Sequence, residues 1–444
     1  RVVNTLERIS FNVGPTLAEW LEVAAPDTWK AILAADHASS LRLGGHGNAL
    51  AMPYHHIILP LASRRDKETE VRWGIADFRR RYGREPEGMW LPETAVDDET
   101  LDVLSAEGIR FTILAPHQVA APPPAGRPGL YTTTAGRTIA VFLYDGPLSH
   151  DIAFGPLITD SVAWAAGMMG RPPSGEGPTL TSIATDGETY GHHHHFGEMA
   201  LAATLERLVA EPSVRVENYA SFLARHPATD SVNLVSPSSW SCSHGIERWR
   251  ADCGCRTRPD TNQAWRAPLR QAVDELAAGL HRIFETESTP LLTDPWRARD
   301  AYATVGLPSH LPVRARELLE MERNVLRMFT SCGWFFDDIG GIESIVCLRY
   351  AARAIDLAGP PGVDLQASFR ERLAMAVSND PSVGTGRDRY DRTAQPTHPG
   401  DVRAAAGYAA VLAVAPAEVR PVIGAYLVGP TGEERVVVKH RRTG

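Results

Sequence analysis

The sequence has no window of eighteen uninterrupted apolar residues, so it offers no segment long enough to cross a bilayer as a helix. Its first residues, Arg1 to Asn4, lack the charged leader and apolar stretch of a secretory signal peptide. Cysteine is scarce, and the odd number of five favours reduced thiols in a cytoplasmic setting. We therefore expect a cytoplasmic protein that is not embedded in a membrane.

A strong charge imbalance is also missing, since 45 Lys and Arg face 53 Asp and Glu spread along the chain. Without a basic stripe, neither nucleic acid nor an anionic membrane surface is an expected partner. No internal repeat or long low-complexity tract indicates a solenoid or a disordered tail. With 43% hydrophobic and 22% charged residues, the composition is that of a soluble globular protein.

The first part of the chain alternates β-rich runs with helical periods, which is typical of a parallel α/β architecture. Residues 111–115 and 139–144 are β-rich, whereas residues 98–107 and the spacing of Leu201, Leu205 and Leu208 predict helices. We expect a parallel α/β domain over residues 1–260.

From about Trp265 onwards the helical period dominates, and it predicts helices that include residues 318–329 and 342–355. Two β-like runs near the end, 422–428 and 435–439, are separated by a Gly- and Pro-containing turn. We expect a mostly helical domain over residues 261–444, with a possible terminal hairpin.

Two acidic motifs follow apolar, strand-like runs. Glu93 directly follows residues 88–92. Asp186 and Glu188 follow residues 180–184. In barrels of alternating strands and helices, residues at the C-terminal ends of strands line the active site. Two carboxyls so placed suit glycoside chemistry, in which one protonates the leaving oxygen and the other stabilises or captures the sugar carbon. The alternative is that both acids cap loops or form ion pairs.

Longer blocks of the chain carry a family resemblance. Residues 9–17, 44–61 and 64–74, together with Trp90-Leu91-Pro92-Glu93, resemble glycoside hydrolase family 57, the α-glucan hydrolases and transferases, in its subgroup with an appended helical domain of unknown function. The resemblance implies that Glu93 is the nucleophile and Asp186 the general acid/base of a retaining mechanism. Such a mechanism places the two carboxyls about 5 to 5.5 Å apart. Hydrolysis and sugar transfer both stay open.

The resemblance also implies a fold and a substrate. The family has a distorted barrel of about seven strand–helix units followed by helices. It begins with a strand carrying a His-Gln-Pro-like motif, and nothing similar precedes Ile9, so we expect that strand to be missing from the sequence given. The implied substrate is an α-glucan or oligosaccharide, with no cofactor. The oligomeric state stays open.

Several histidines are candidates for substrate binding. His56 looks like a family histidine beside the nucleophile, although His55 or a structural role is an alternative. For His46, in a Gly-rich loop, a substrate-binding role and a structural role are equally open. The run His192–His195 cannot direct four side chains at one ion, because consecutive residues point in different directions. We expect His192 to face the sugar.

Aromatic and acidic side chains complete the predicted substrate-binding set. Trp90, three residues before Glu93, is open between facing the barrel interior and a core position, and by resemblance Trp240 lies at the border of the cleft. By resemblance Trp334 and Asp337 lie at the barrel mouth, where an indole can stack on a sugar; an interdomain core position is equally open for Trp334. Glu188 is included because it shares the Asp186 motif.

Four potential zinc ligands lie close together in sequence: Cys242, His244, Cys253 and Cys255. Each pair has one intervening residue, fewer than zinc sites usually have, so we favour buried or loop thiols and expect no metal. Two other functions compete with the glycosidase. A metal-dependent carbohydrate deacetylase would use Asp66, His55 or the histidine run as ligands, but no His-x-x-x-His spacing follows an Asp. A glycan-binding barrel without turnover is the third.

Overall fold

The computed structural model describes residues 3–170, 177–305, 311–394, 400–432 and 435–443. The chain divides into two compact units after Ile246, the first α/β and the second mostly helical. Within the described residues, no helix is both long enough and apolar enough to span a membrane. This mixed α/β class followed by a helical region confirms the predicted fold class.

A four-stranded sheet forms part of the first unit, with the strand order β1-β3-β2-β4. Strands β1 and β3 run parallel, and Phe111 lies opposite Ala140. Strand β2 pairs antiparallel with β3 and parallel with β4. The strands are β1 (Phe111–Leu114), β2 (Gly129–Thr132), β3 (Thr138–Leu143) and β4 (Asp230–Ser231).

Shorter parallel contacts extend this sheet towards the N-terminus. Single bridges join Phe11 to Ala49, Ala51 to Met89 and Gly88 to Phe111, so successive chain segments lie side by side as in a barrel wall. Glycine is required at position 88, since a Cβ there would lie 2.3 Å from the Phe111 ring. The carboxyl ends of these parallel segments therefore share one edge.

Helices of the first unit follow the apolar periods and capping signals of the sequence. Asp97, for example, caps the helix that begins at Asp98 by accepting a hydrogen bond from the Thr100 amide at 2.8 Å. The helices are α1 (Pro15–Ala24), α2 (Pro26–Arg42), α3 (Arg64–Tyr82), α4 (Asp98–Ala106), α5 (Gly146–Phe154), α6 (Ser161–Met169), α7 (Gly197–Ala210) and α8 (Tyr219–Arg225).

The second unit contains the long helices that the sequence predicted. Leu269, Val273, Leu276 and Leu280 are all buried along one face of α9, which accounts for their spacing. The helices are α9 (Arg266–Ser288), α10 (Pro295–Val305), α11 (Val313–Arg327), α12 (Cys332–Phe335), α13 (Ile342–Ala358), α14 (Pro360–Leu373), α15 (Gly386–Arg389) and α16 (Asp401–Val414).

A small antiparallel sheet lies near the C-terminus. Its strands are β5 (Val422–Ile423), β6 (Tyr426–Pro430) and β7 (Val436–His440), in that order across the sheet. The predicted strand over residues 180–184 is not a regular strand. Ser182 accepts from the Asp145 amide at 2.7 Å, and the Ser149 hydroxyl accepts from the Ala184 amide at 3.1 Å. These isolated bonds hold the segment beside the end of β3, where the Ser182 hydroxyl donates to the Leu143 carbonyl at 3.5 Å. The predicted domain boundary after residue 260 stays a prediction.

Candidate active site

Glu93 lies in a sharp turn immediately after the segment that pairs through Met89. The residue has a left-handed backbone conformation, with φ of 56°, and so has Thr94, with φ of 47°. Such a conformation costs a non-glycine residue on the order of 1–3 kcal/mol, and it persists only where neighbouring contacts enforce it. The turn therefore sets the direction of the Glu93 side chain at a cost in stability.

Buried hydrogen bonds hold this turn in place. The Gln118 side chain accepts from the Thr94 hydroxyl at 2.8 Å and donates to the Thr94 carbonyl at 2.8 Å. Both residues have no exposed surface. The Val96 amide donates to the Ser238 carbonyl at 2.9 Å, which ties the end of the turn to the segment that also carries Trp240.

The carboxylate of Glu93 receives two hydrogen bonds on one oxygen. Its Oε2 atom accepts from the Trp240 indole N–H at 2.9 Å and from the Ser241 hydroxyl at 2.6 Å. The Trp240 amide also donates to the Glu93 carbonyl, at 3.1 Å. Because two donors contact the same oxygen, the Glu93 side chain is held in one orientation.

The second acid, Asp186, has a different electrostatic environment. The residue is accessible to water, yet protein atoms crowd its carboxyl. This partial burial, with the nearby negative charges of Glu93 and Glu188, raises the pKa of Asp186 to about 6, while His193 acts in the opposite direction. The site thus holds one carboxyl fixed by two hydrogen bonds and one that keeps a proton up to mildly acidic pH.

His56 belongs to the same electrostatic group. Burial lowers the pKa of His56, and the charges of Glu93 and Glu188 oppose that shift. The imidazole is therefore favoured in its neutral form, which can both donate and accept a hydrogen bond. Tyr144 lies near the second acid, since burial and the Asp186 charge raise the pKa of its phenol to about 12.

Aromatic rings border the carboxylates. Trp90 and Trp240 meet edge to face with ring centroids 5.3 Å apart, and Tyr144 meets Trp240 at 6.2 Å. Both tryptophans are half-buried and pack against the apolar cluster that includes Phe111 and Phe142. The same cluster also contacts Ala184, two residues before Asp186, so one core supports the segments that carry both acids.

Three other predicted histidine positions have contacts of their own. His55 is buried, and its Nδ1 atom lies 2.7 Å from Glu70 Oε1, a structural pairing. His46 Nδ1 lies 2.8 Å from Glu87 Oε2. In the histidine run, His192 is exposed, and its ring lies 5.2 Å from the His193 ring at a tilt of 45°. His193 is the member whose charge acts on Asp186.

Sequence reasoning missed Ser241 and His193. Each lies next to a residue that was named, Trp240 and His192, so proximity in sequence was the available signal. Which of two adjacent residues faces the acids depends on side-chain direction, and in a loop no sequence period predicts that direction.

Trp334 and Asp337 lie in the helical unit with structural contacts. Trp334 is 1% exposed, and its indole N–H donates to the Arg266 carbonyl at 3.3 Å. Burial alone would raise the pKa of Asp337. Hydrogen bonds from Thr257 and from the Arg258 amide outweigh it and hold that pKa below its ordinary value. A core position accounts for the Trp334 side chain, which has no exposed face in this structure.

Among the described residues, one group of three or more potential metal ligands lies close together, and it is the Cys242, His244, Cys253 and Cys255 set. Their ligand atoms all lie within 4.8 Å of one another. A deacetylase would use Asp66, His55 or the histidine run as ligands. Among the described residues, these side chains do not form a metal-binding group.

Two known families match separate parts of the chain. Residues 41–235 match glycosyl hydrolase family 57. The chain carries a glycosyl hydrolase family 57 domain. Residues 261–311 and 307–442 match a domain of unknown function, DUF3536. A search of curated proteins found no match. The family 57 domain places the chain among enzymes that act on glycosidic bonds.

Solved structures show the same fold. An exo-type maltose-forming amylase from a Pyrococcus species has a TM-score of 0.69 at 15% identity, covering 90% of this chain and 83% of that one. A 4-alpha-glucanotransferase from Thermococcus litoralis has a TM-score of 0.51 at 16% identity, covering 79% and 54%. The alpha-amylase AmyC from Thermotoga maritima has a TM-score of 0.51 at 11% identity, covering 86% and 89%. These neighbours have a (β/α)7 barrel, the fold predicted for the first unit.

Proposed function

We propose that this family 57 protein cleaves or transfers α-glucosidic bonds with retention of anomeric configuration, using Glu93 as nucleophile and Asp186 as general acid/base. The observation that carries the proposal is the contrast between the two acids. Glu93 accepts two hydrogen bonds on Oε2, whereas the pKa of Asp186 is raised to about 6. Acid-assisted cleavage with retention requires one carboxyl fixed for attack and a second that can hold a proton, as Asp186 does up to about pH 6.

In the first step, Asp186 donates its proton to the glycosidic oxygen as that bond breaks. The Glu93 carboxylate then forms a bond to the anomeric carbon, giving a glycosyl ester on the enzyme. Trp240 and Ser241 both occupy Oε2, so we assign the attack to Oε1. Formation of the ester removes the negative charge of Glu93, which lowers the proton affinity of Asp186 as it takes up its second role.

In the second step, the Asp186 carboxylate removes a proton from the acceptor hydroxyl, and the acceptor oxygen displaces Glu93. Water as acceptor gives hydrolysis, and a sugar hydroxyl gives transfer. His56, favoured as a neutral imidazole near both Glu93 and Glu188, is suited to hydrogen-bond a sugar hydroxyl. Trp90 and Trp240 offer aromatic surface beside the nucleophile for stacking on a sugar face.

The substrate class draws support from the neighbours. Their names describe a maltose-forming amylase, a 4-alpha-glucanotransferase and an alpha-amylase. We extend that class to this chain because it has the fold of these neighbours and carries the two proposed catalytic acids. We include His46, Glu188 and His192 among the proposed substrate-binding residues. Trp334 and Asp337 are left out, since their contacts lie in the helical unit.

The proposal is tested by incubating the protein with maltoheptaose and following the products by proton NMR before mutarotation. The expected result is products with the α configuration, accompanied by longer oligosaccharides if transfer occurs. Products that first appear as the β anomer would contradict the retaining mechanism. Binding of maltoheptaose without any bond cleavage would favour the glycan-binding alternative.

Removing the Ser241 hydroxyl should slow the reaction without abolishing it. A hydrogen bond to a charged group contributes about 1.5–3 kcal/mol, so Ser241→Ala is expected to lower kcat about 10- to 100-fold. Ser213→Ala is a matched control, because that serine bonds only locally to Glu211 on the surface. Equal rates for Ser241→Ala and wild type would show that the bond to Glu93 has no part in turnover.

The raised pKa of Asp186 predicts the alkaline limb of the pH profile. Asp186 must carry a proton for cleavage, so kcat/KM is expected to fall as pH rises through about 6. Glu188→Gln removes one charge that raises this pKa and should move the limb to lower pH. His193→Gln removes an opposing influence and should move it to higher pH. A limb that both substitutions leave in place would mean that another group controls it.

A further inference from the structure

The cysteine and histidine cluster lies within one short, continuous stretch of chain, residues 242–255. Its ligand atoms, three thiol sulfurs and one imidazole nitrogen, all lie within 4.8 Å of one another. The five cysteines of the chain are thiols in this structure. Such a set of soft ligands has no evident use in cleaving a glycosidic bond, so it calls for a separate explanation.

Two glycine-containing turns direct the ligands towards one point. The Gly245 amide donates to the Cys242 carbonyl at 3.2 Å, and the Ser239 hydroxyl donates to the Gly245 carbonyl at 2.6 Å. In the second turn, Gly254 has φ of 81°, a conformation that lets Cys253 and Cys255 approach the same point from either side. Backbone geometry therefore explains how pairs with one intervening residue can converge.

We propose that Cys242, His244, Cys253 and Cys255 bind one zinc ion in a tetrahedral site. At zinc–ligand bond lengths of about 2.0–2.3 Å, the ligand atoms of a tetrahedron lie about 3.5–3.8 Å apart. From the observed limit of 4.8 Å, the most distant pair must close by about 1.0–1.3 Å, which rotation about the side-chain bonds of these residues can supply. The proposal departs from the expectation of loop thiols, which rested on sequence spacing alone.

Surrounding groups support metal binding at this point. The Ser243 hydroxyl lies 3.4 Å from His244 Nδ1, and zinc-binding histidines are usually oriented by a partner on the ring nitrogen that does not bind metal. The Arg266 guanidinium donates to the Cys255 carbonyl at 2.9 Å, which fixes the backbone of one ligand and places a positive charge near thiolates. Three thiolates and one imidazole favour zinc over magnesium or calcium, which prefer oxygen.

The role of such a zinc ion is structural. Four protein ligands leave no open position for a water molecule or a sugar, in contrast to catalytic zinc sites. Cys242 directly follows Trp240 and Ser241, the donors to Glu93, so zinc would fix the turn that continues from them. Metal binding itself does not depend on the proposed function; only this positioning effect on Glu93 does.

The test uses the full chain without an affinity tag, because a histidine tag binds zinc. Zinc is measured per chain by inductively coupled plasma mass spectrometry, and the stripped protein is then titrated with Co²⁺. We expect about one zinc per chain, and with cobalt the intense visible bands of a tetrahedral site and a thiolate-to-cobalt charge-transfer band. Absence of the charge-transfer band in the wild-type protein would overturn the proposal whatever the variants do.

Variants locate the site. Cys242→Ser and Cys253→Ser are expected to lower bound zinc about tenfold or more, since each removes a thiolate ligand. His244→Ala, at an exposed position that should tolerate the change, is expected to weaken zinc binding and to shift the cobalt bands. Cys332→Ser is the matched control, an exposed cysteine outside the cluster, and should retain full zinc.

The histidine run is the competing zinc ligand and has its own control. A triple variant, His192→Gln, His193→Gln and His195→Gln, changes its three exposed members and should keep the zinc. Zinc lost from the triple variant but retained by Cys253→Ser would overturn the proposal and assign the metal to the histidines. Chelation should also lower the Tm, and added zinc should restore it; an unchanged Tm would contradict a structural role.

Discussion

Replacing Glu93 with Gln is expected to lower kcat on the order of 10⁴-fold or more, because the amide cannot form a glycosyl ester with the substrate. The substitution keeps the size of the side chain, and Oε2 contacts with Trp240 and Ser241 can be retained by the amide oxygen. Binding of an unreactive oligosaccharide should therefore change little. The loss should appear in kcat rather than in KM.

The trapping measurement separates a nucleophile from a bystander. An α-glucosyl fluoride with a second ring fluorine slows breakdown of the ester, so intact mass spectrometry should find a glycosyl adduct on the wild type and none on Glu93→Gln. The matched control is Glu107→Gln, a carboxylate of the same unit that pairs with Arg72 and has no part in the proposed site. An adduct of equal yield on Glu93→Gln would remove Glu93 from the role of nucleophile.

Long elements and buried faces could be read from the sequence because each residue contributes to a repeating pattern. The period of Leu269, Val273, Leu276 and Leu280 predicted α9, and the β-rich runs predicted β1 and β3. The resemblance in the Trp90–Glu93 motif led to the family that the comparison then found. These signals are carried by residue type and spacing alone.

The arrangement of the site depended on contacts that spacing does not encode. Ser241 lies 148 residues after Glu93 in the sequence. It reaches Glu93 only because the chain returns beside the strained turn. The convergence of the four zinc ligands likewise depends on Gly254 in a left-handed conformation. Residues 180–184 looked like a strand, yet their hydrogen bonds go to isolated partners, including the Ser149 side chain. Loop geometry therefore decided what residue type alone left open.

The identity of the acid/base is tested by Asp186→Asn, which should lower turnover of maltoheptaose about 10²- to 10⁴-fold. The amide cannot protonate the departing sugar or later accept a proton from water. Glucosyl fluoride, however, releases its fluoride ion without protonation by an acid. Its glucosyl group should therefore still be transferred to Glu93. We therefore expect the glycosyl adduct to accumulate on Asp186→Asn, where it cannot be hydrolysed efficiently.

Azide distinguishes this explanation from simple damage to the site. As a small anionic nucleophile it needs no general base, so it should release the adduct on Asp186→Asn as α-glucosyl azide and restore turnover of the fluoride. Glu188→Gln is the matched control, because Glu188 shares the electrostatic environment of Asp186 but is not proposed to transfer protons. Azide should not accelerate that variant. Rescue of Glu188→Gln with no rescue of Asp186→Asn would exchange the roles of the two residues, because azide replaces only a missing general base.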